Sequence, residues 1–312
     1  MNNSLHDYGE YRSRLLNDVI LPIEISVGIL VNISAIFIWV FGPKSRSLCC
    51  ATYFAANAVA DFLTLSIVGL YAIICVTHFN KNCYYSDVSC KISKYLNGVL
   101  FMITNWISTV ITVERSMTIL FPLKFRSQDM PRNSKYTIRI IIVLALLGNI
   151  DEIFRVGQHE GTIFCSMLKD YEIYNIIKQS VRIFLPFIVI VIFNCCTIAT
   201  LCKQRRNSVS ANQGNYVHVF TKLTIVTGLS FVASNTTGVI FAIWLFWRKT
   251  IPETDLNEYL LVLDLGQTMF YLNCLMNPII CVVICKSMID DIRTFGQRLR
   301  LVFRCGQHGI TT

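Results

Sequence analysis

"ISTVITVERSMTILFPLKF", residues Ile107 to Phe125, decides how the rest of the chain is read. An apolar, β-branched run ends in an adjacent acid and base, Glu114-Arg115, and a further apolar turn with Pro122-Leu123 follows at once. An ionisable side chain near a bilayer centre costs about 2.5–3.5 kcal/mol on insertion scales. An acid–base pair at the end of such a run therefore marks either the exit from an apolar medium or a charge with a task.

The whole chain supports the apolar medium. Hydrophobic residues make up 54% and charged residues 15% of 312 positions, with a mean hydropathy of +0.52; soluble domains carry roughly a quarter charged residues. Seven stretches reach the roughly 20 residues that a helix needs to span hydrocarbon. They are Ile20–Phe41, Ala51–Thr77, Tyr95–Val113, Thr137–Phe154, Ile173–Leu201, Val219–Trp247 and Tyr259–Cys285. Asp151 and Glu152 crowd the end of the fourth. Segments of about ten residues with strict alternation do not recur, which argues against a transmembrane β-barrel. The fold expected is an all-α membrane protein, a seven-transmembrane helix bundle forming a single domain over 1–312. Residues 1–19 are expected outside, 20–285 in the bundle, and 286–312 as a cytoplasmic amphipathic helix and tail.

Orientation follows from the basic residues of the short connections. With the N-terminus outside, the inner segments Gly42–Cys50, Glu114–Arg139, Cys202–Lys222 and Lys286–Thr312 hold 2, 6, 4 and 5 of the 28 Lys and Arg residues. Their acids are only Glu114, Asp129, Asp290 and Asp291. The formal charge of +9 is thus concentrated on the cytoplasmic side, where anionic lipid head groups or an acidic partner would meet it. Because it is divided among loops, a nucleic-acid partner is the poorer reading. Asn2 opens an Asn-x-Ser glycosylation acceptor in the outer N-terminal segment. Most of the 13 cysteines fall within spans or inside. Cys83, Cys90 and Cys165 lie in outer loops where a disulfide persists, and spacing alone leaves either Cys83 or Cys165 as the partner of Cys90.

Polar side chains inside the spans form two sets. Asn32, Asp61, Thr104, Asn105, Asn273 and Asn277 sit at mid-span. If they converge, they make a polar core with one carboxylate, suited to a hard monovalent cation such as Na⁺; interhelical hydrogen bonding is the alternative. Nearer the outside, Asn97/Phe101, Lys178/Arg182 and Gln267/Tyr271 are spaced i, i+4 and suggest a pocket with aromatic and polar walls. Two cations in span five would favour an acidic group on its ligand; pairing of Arg182 with Glu24 or Asp264 is the alternative. Pro278 and Pro186 interrupt spans seven and five, and Pro278 frees a carbonyl near Cys274. No metalloprotease, phosphate-loop or serine-elbow motif is present, so no enzyme is expected.

Taken together, these features resemble the rhodopsin-like (class A) G-protein-coupled receptors over about Leu21 to Phe303. The marks are Asn32 after Gly28, "ANAVAD" ending at Asp61, Cys90 twenty-five residues before Arg115, "ERS" followed by Pro122-Leu123, then Cys165, Pro186 and "NPIIC". The resemblance implies a latch at Glu114 and Arg115, opened by outward movement of span six to admit a heterotrimeric G protein. It implies a Cys90–Cys165 bridge, a sodium site at Asp61, Thr104, Asn273 and Asn277, and no organic cofactor. It also implies a membrane-surface helix beyond span seven, with Cys305 as a palmitoylation candidate, at the plasma membrane. Asn235 joins the pocket set and Phe231 the hinge set with Pro186 and Pro278. The ligand class implied is a peptide, most similar to neuropeptides. Departures are Ser116 for an aromatic residue, Asn235 for tryptophan and Thr237 for proline in span six, and Asn194 and Cys281 for tyrosines. They keep open a chemosensory or decoy receptor with weak or no coupling.

Overall fold

The computed structural model describes residues 15–46, 51–71, 73, 87–121, 130–158, 165–167, 174, 177–178, 180–207, 225–236, 256–285 and 288–297. The helices are α1 (Leu21–Phe41), α2 (Ala51–Leu63), α3 (Asp87–Leu120), α4 (Met130–Asn149), α5 (Leu185–Asn207), α6 (Ile225–Thr236), α7 (Leu256–Ile284) and α8 (residues 288–297). Among the described residues, five helices are long and apolar enough to cross a membrane. Helix α4 falls short of that apolarity because Arg132, Lys135 and Arg139 occupy its N-terminal half.

Helix α3 runs well past the span expected from Tyr95 to Val113. Ser116 and Ile119 keep to the buried face, so the apolar register continues for a turn and a half after the acid–base pair. Glu114 and Arg115 are therefore inside the helix and not at its tip, and Arg115 is buried. Antiparallel strands β1 (Val156–Gln158) and β2 (Cys165–Met167) pair between α4 and α5. This ribbon is an addition to the all-α expectation, since three-residue strands carry no readable alternation.

Helix α3 is the central element, packed against α2, α4 and α5, while α1 lies between α2 and α7. The inner core gathers Trp39, Tyr53, Phe54, Ile107, Ile111, Ile280 and Met288, with Trp39 and Phe54 stacked at 5.2 Å. A second cluster of Leu21, Ile25, Leu65, Phe270, Tyr271 and Cys274 closes the outer half between α1, α2 and α7. Large apolar side chains such as Leu30, Phe37, Leu147 and Ile192 face outward, as lipid-facing residues must.

Pro278 of α7 and Pro186 of α5 shape the bundle through the hydrogen bond each cannot make. Pro278 leaves the carbonyl of Cys274 free, and Asn32 of α1 donates its amide to it at 3.1 Å. Pro186 leaves that of Arg182 free, and Asn105 of α3 donates at 3.1 Å. A π-helical turn, Ser180–Phe184, leads into α5 at this point, as expected where the regular ladder is interrupted.

Helix α8 is fixed to the inner turn Pro43–Arg46. Asp291 accepts the backbone N–H of Ser45 at 2.8 Å and of Lys44 at 3.4 Å. Asp290 pairs with the Lys44 ammonium at 2.9 Å, and Phe295 meets Phe37 of α1.

Candidate functional site

At the inner end, Tyr53 of α2 donates its hydroxyl to Glu114 Oε1 at 2.5 Å, and Thr137 of α4 lies against the same phenol. The acid of the pair is thus held by a neighbouring helix as well as flanked by Arg115. One residue on, Ser116 Oγ donates to Thr112 O at 2.8 Å with Phe193 O of α5 at 3.2 Å, and accepts from Thr197 Oγ1 at 2.8 Å. A small hydroxyl at this position lets α3 and α5 approach closely enough to share these bonds; a large aromatic ring would hold them apart. Pro122 and Leu123 lie outside the described residues, as do Asn2 and Cys305.

Part of the mid-span set gathers at Asp61, while Asn105 turns to the Arg182 carbonyl. Asp61 is fully buried, and its Oδ2 accepts from Asn57 at 2.8 Å and Asn277 at 3.0 Å. Cys274 and Thr104 lie against the same carboxylate. Asp61 Oδ1, Thr104 Oγ1 and both side-chain polar atoms of Asn273 are buried without a hydrogen-bond partner. Buried polar atoms left in this state are costly. They make an oxygen-rich set with one negative charge, and its chemistry fits a monovalent cation.

Just inward of Asp61, a small cavity opens between the helices, lined among others by Asn57, Ser108, Thr112, Gly228, Phe231 and Asn277. Phe231 of α6 is buried against it. Asn235, one turn outward, donates to its own helix at Phe231 O.

The outer set divides in two. Phe101 packs on Phe270 at 4.5 Å, Phe270 on Tyr271 at 5.7 Å, and Gln267 donates to the Tyr271 hydroxyl at 3.1 Å. Tyr271 is only 1% exposed, so it serves the core and presents little surface to a ligand. Asn97 stays half-buried on α3. The two cations of span five stand apart from this group, against the end of α4. Lys178 bridges Asp151 at 2.7 Å and Glu152 at 2.9 Å, and Arg182 pairs with Glu152 at 3.0 Å and donates to the side-chain amide oxygen Oδ1 of Asn149. The expected free cationic wall gives way to this pairing, which engages Glu152 in place of the alternative partner Glu24; the Asp264 side chain lies outside the described residues. The acids that crowd the end of span four are the counter-ions. They fall there because α4 ends at Asn149 and the chain turns again at Glu152–Arg155.

Gly98 of α3 makes the cluster possible: a Cβ there would fall on the Arg182 guanidinium and 2.7 Å from the Asn149 oxygen. The Arg155 guanidinium lies 3.9 Å over the Tyr174 ring. At the mouth of α3, Cys90 is disulfide-bonded. Cys165 lies on β2, opposite Gln158, and Cys83 lies outside the described residues.

Tyr53, Asn149 and Thr197 carry no signal that would single them out in the sequence. Each is an ordinary residue whose role comes from a partner more than 30 positions away.

The family model described as 7 transmembrane receptor (rhodopsin family) matches residues 31–280. Among curated proteins, Chemerin-like receptor 2 of Macaca mulatta is 24% identical over 272 residues, covering 84% of this chain and 74% of the relative. Lysophosphatidic acid receptor 4 of Homo sapiens is 24% identical over 283 residues, covering 85% and 73%. G-protein coupled receptor homolog FPV206 of Fowlpox virus (strain NVSL) is 22% identical over 292 residues, covering 88% and 90%.

Proposed function

The chain belongs to the rhodopsin family of 7 transmembrane receptors, and on that footing we propose that it passes a signal from an extracellular peptide to a heterotrimeric G protein through outward movement of α6. At the coarser level it is a multi-pass membrane receptor of the G-protein signalling class and not an enzyme. The observation that carries the finer reading is the inner end of α3. Arg115 is buried beside a Glu114 whose carboxylate is already engaged by Tyr53. A charge held between helices is released by small relative displacements, so a ligand needs only modest differential binding to shift it.

The ligand pocket lies in the outer half, with Asn97, Phe101, Asn235 and Gln267 as its adaptable walls; Lys178 and Arg182 stand beside it, already paired with Asp151 and Glu152. Amide and aromatic groups suit the backbone and side chains of a peptide. Two relatives of equal identity carry the names of a chemerin-like and a lysophosphatidic acid receptor, so a lysophospholipid is the outcome that would displace the peptide. Asp61, Thr104, Asn273 and Asn277 would hold Na⁺ in the resting state; the cation supplies charge balance for Asp61. Pro186, Phe231 and Pro278 serve as the flexible points of the bundle. The N-terminus faces outward and the C-terminus faces the cytoplasm at the plasma membrane, with Cys90–Cys165 as the outer bridge.

The test is a screen of peptide and lysophospholipid libraries on cells displaying the chain, with a panel of G proteins as reporters. A peptide that evokes nucleotide exchange, lost in Arg115→Ala at unchanged surface display, is the expected result. Ligand capture and internalisation without exchange on any G protein would instead establish the decoy alternative.

A further inference from the structure

Gly228 of α6 and Asn194 of α5 meet at a distance that only glycine permits. A Cβ on Gly228 would fall on the Asn194 amide nitrogen, with Asn194 Cγ at 3.1 Å and Oδ1 at 3.3 Å. Because Cγ is crowded too, turning the amide about its own axis does not relieve the contact. Relief requires the whole side chain to leave its rotamer or one helix to move.

Helix α5 is tied to α3 at this level. On either side of Asn194, Phe193 O and Thr197 Oγ1 are tied to Ser116 of α3 at 3.2 Å and 2.8 Å. Helix α6 gains no such bond here from its glycine. Asn194 is itself 5% exposed, and its Oδ1 has no hydrogen-bond partner. A buried amide oxygen left in that state is unfavourable, so separating α6 from α5 has a local gain as soon as water or a partner's donor reaches it.

We propose that Asn194 and Gly228 are a positioning pair that sets how closely α6 rests against α5. Asn194 itself stands at the position of span five where the resemblance leads one to expect a tyrosine. The absent Cβ of Gly228 lets α6 close, and the Asn194 amide is the stop against which it closes. The pair matters for signalling only on the reading that α6 movement couples to a G protein.

The test uses the full chain in detergent, in a cysteine-depleted background that keeps the Cys90 disulfide. Spin labels are placed on the exposed positions Tyr136 of α4 and Val226 of α6 by Y136C and V226C, and their distance distribution is measured together with nucleotide exchange on added G proteins. Gly228→Ala is expected to raise the fraction of long distances about fivefold, which corresponds to about 1 kcal/mol. Asn194→Gln enlarges the other partner and is expected to do the same, so a failure of the glycine variant to fold leaves the inference open to test. The double variant Asn194→Ala/Gly228→Ala is expected to return to the parent distribution. Parent-like distances in Gly228→Ala and Asn194→Gln, or a double variant as displaced as Gly228→Ala, would overturn the proposal. Displaced helices without any gain in nucleotide exchange would uphold the positioning pair and count against the coupling reading.

Discussion

Asn105 of α3 donates its side-chain amide to the carbonyl of Arg182 at 3.1 Å, and that carbonyl is available because residue 186 is a proline. The bond joins the centre of the bundle to the turn that carries Arg182 into its ion pair. Removing the amide leaves a buried carbonyl without a donor, a cost of about 1–3 kcal/mol. Asn105→Ala is therefore expected to lower the thermal unfolding temperature of the purified receptor clearly. In a Pro186→Ala background the new N–H at 186 satisfies Arg182 O from within the helix. The same asparagine change should then cost less, with a coupling of about 1 kcal/mol or more between the two sites. Equal losses in both backgrounds would refute this account of the proline.

The polar core gives a prediction in salt. If Asp61, Thr104 and Asn273 hold Na⁺, a cation bound to the folded state adds RT ln(1 + [Na⁺]/Kd) of stability, about 1.4 kcal/mol at ten times Kd. Replacing sodium with an organic cation at constant ionic strength should lower the unfolding temperature of the wild type. Asp61→Asn and Asn273→Ala should be insensitive to the exchange. A sodium-independent wild type would leave these residues as interhelical hydrogen-bonding groups only.

The fold class, the polar residues at mid-span and the carbonyl freed near Cys274 were all legible in the sequence. Each depends on local composition or on a fixed offset along one helix. Asn32 and Asp61 stand out because a polar side chain in an apolar run is conspicuous wherever its partner lies. What was not legible depends on which helices face each other. Lys178 and Arg182 read as cations in need of an acid, yet nothing in span five points to Asp151 and Glu152 over Glu24 or Asp264. Only the end of α4 at Asn149 brings them together. Tyr53 was invisible for the same reason, since an inward-facing tyrosine is unremarkable until Glu114 is seen 2.5 Å away. The length of α3 was underestimated because the charged pair looked like an ending, whereas Ser116 and Ile119 carry the buried face onward.

Gly98 and Gly266 offer a matched comparison between two helical glycines. A Cβ on Gly98 would meet the Arg182 guanidinium, whereas one on Gly266 would meet nothing within 4 Å. Gly98→Ala must shift the Arg182 guanidinium within its buried ion-pair cluster, and overpacking of this kind costs about 1–3 kcal/mol. It is expected to reduce surface display severely. Gly266→Ala should be neutral or slightly stabilising, since it restricts the unfolded chain without a clash. Flow cytometry of tagged receptors reads both, and similar display for the two would show that the Gly98 contact is not limiting.

The two acids at the start of α8 differ in burial, and their losses should differ accordingly. Asp291 is 1% exposed and accepts two backbone N–H groups of the inner turn. Charged hydrogen bonds of this kind contribute about 1.5–3 kcal/mol. Lys44, the partner of Asp290, has a side chain 58% exposed, and exposed ion pairs contribute about 0–1 kcal/mol. Asp291→Ala should therefore free α8 from the turn at Pro43–Arg46 and raise hydrogen exchange across residues 288–297, while Lys44→Ala leaves exchange close to wild type. Asp291→Asn keeps an acceptor and loses the charge, so it should fall between them. If Lys44→Ala loosened α8 as much as Asp291→Ala, the surface ion pair and not the capping carboxylate would be what holds the helix down.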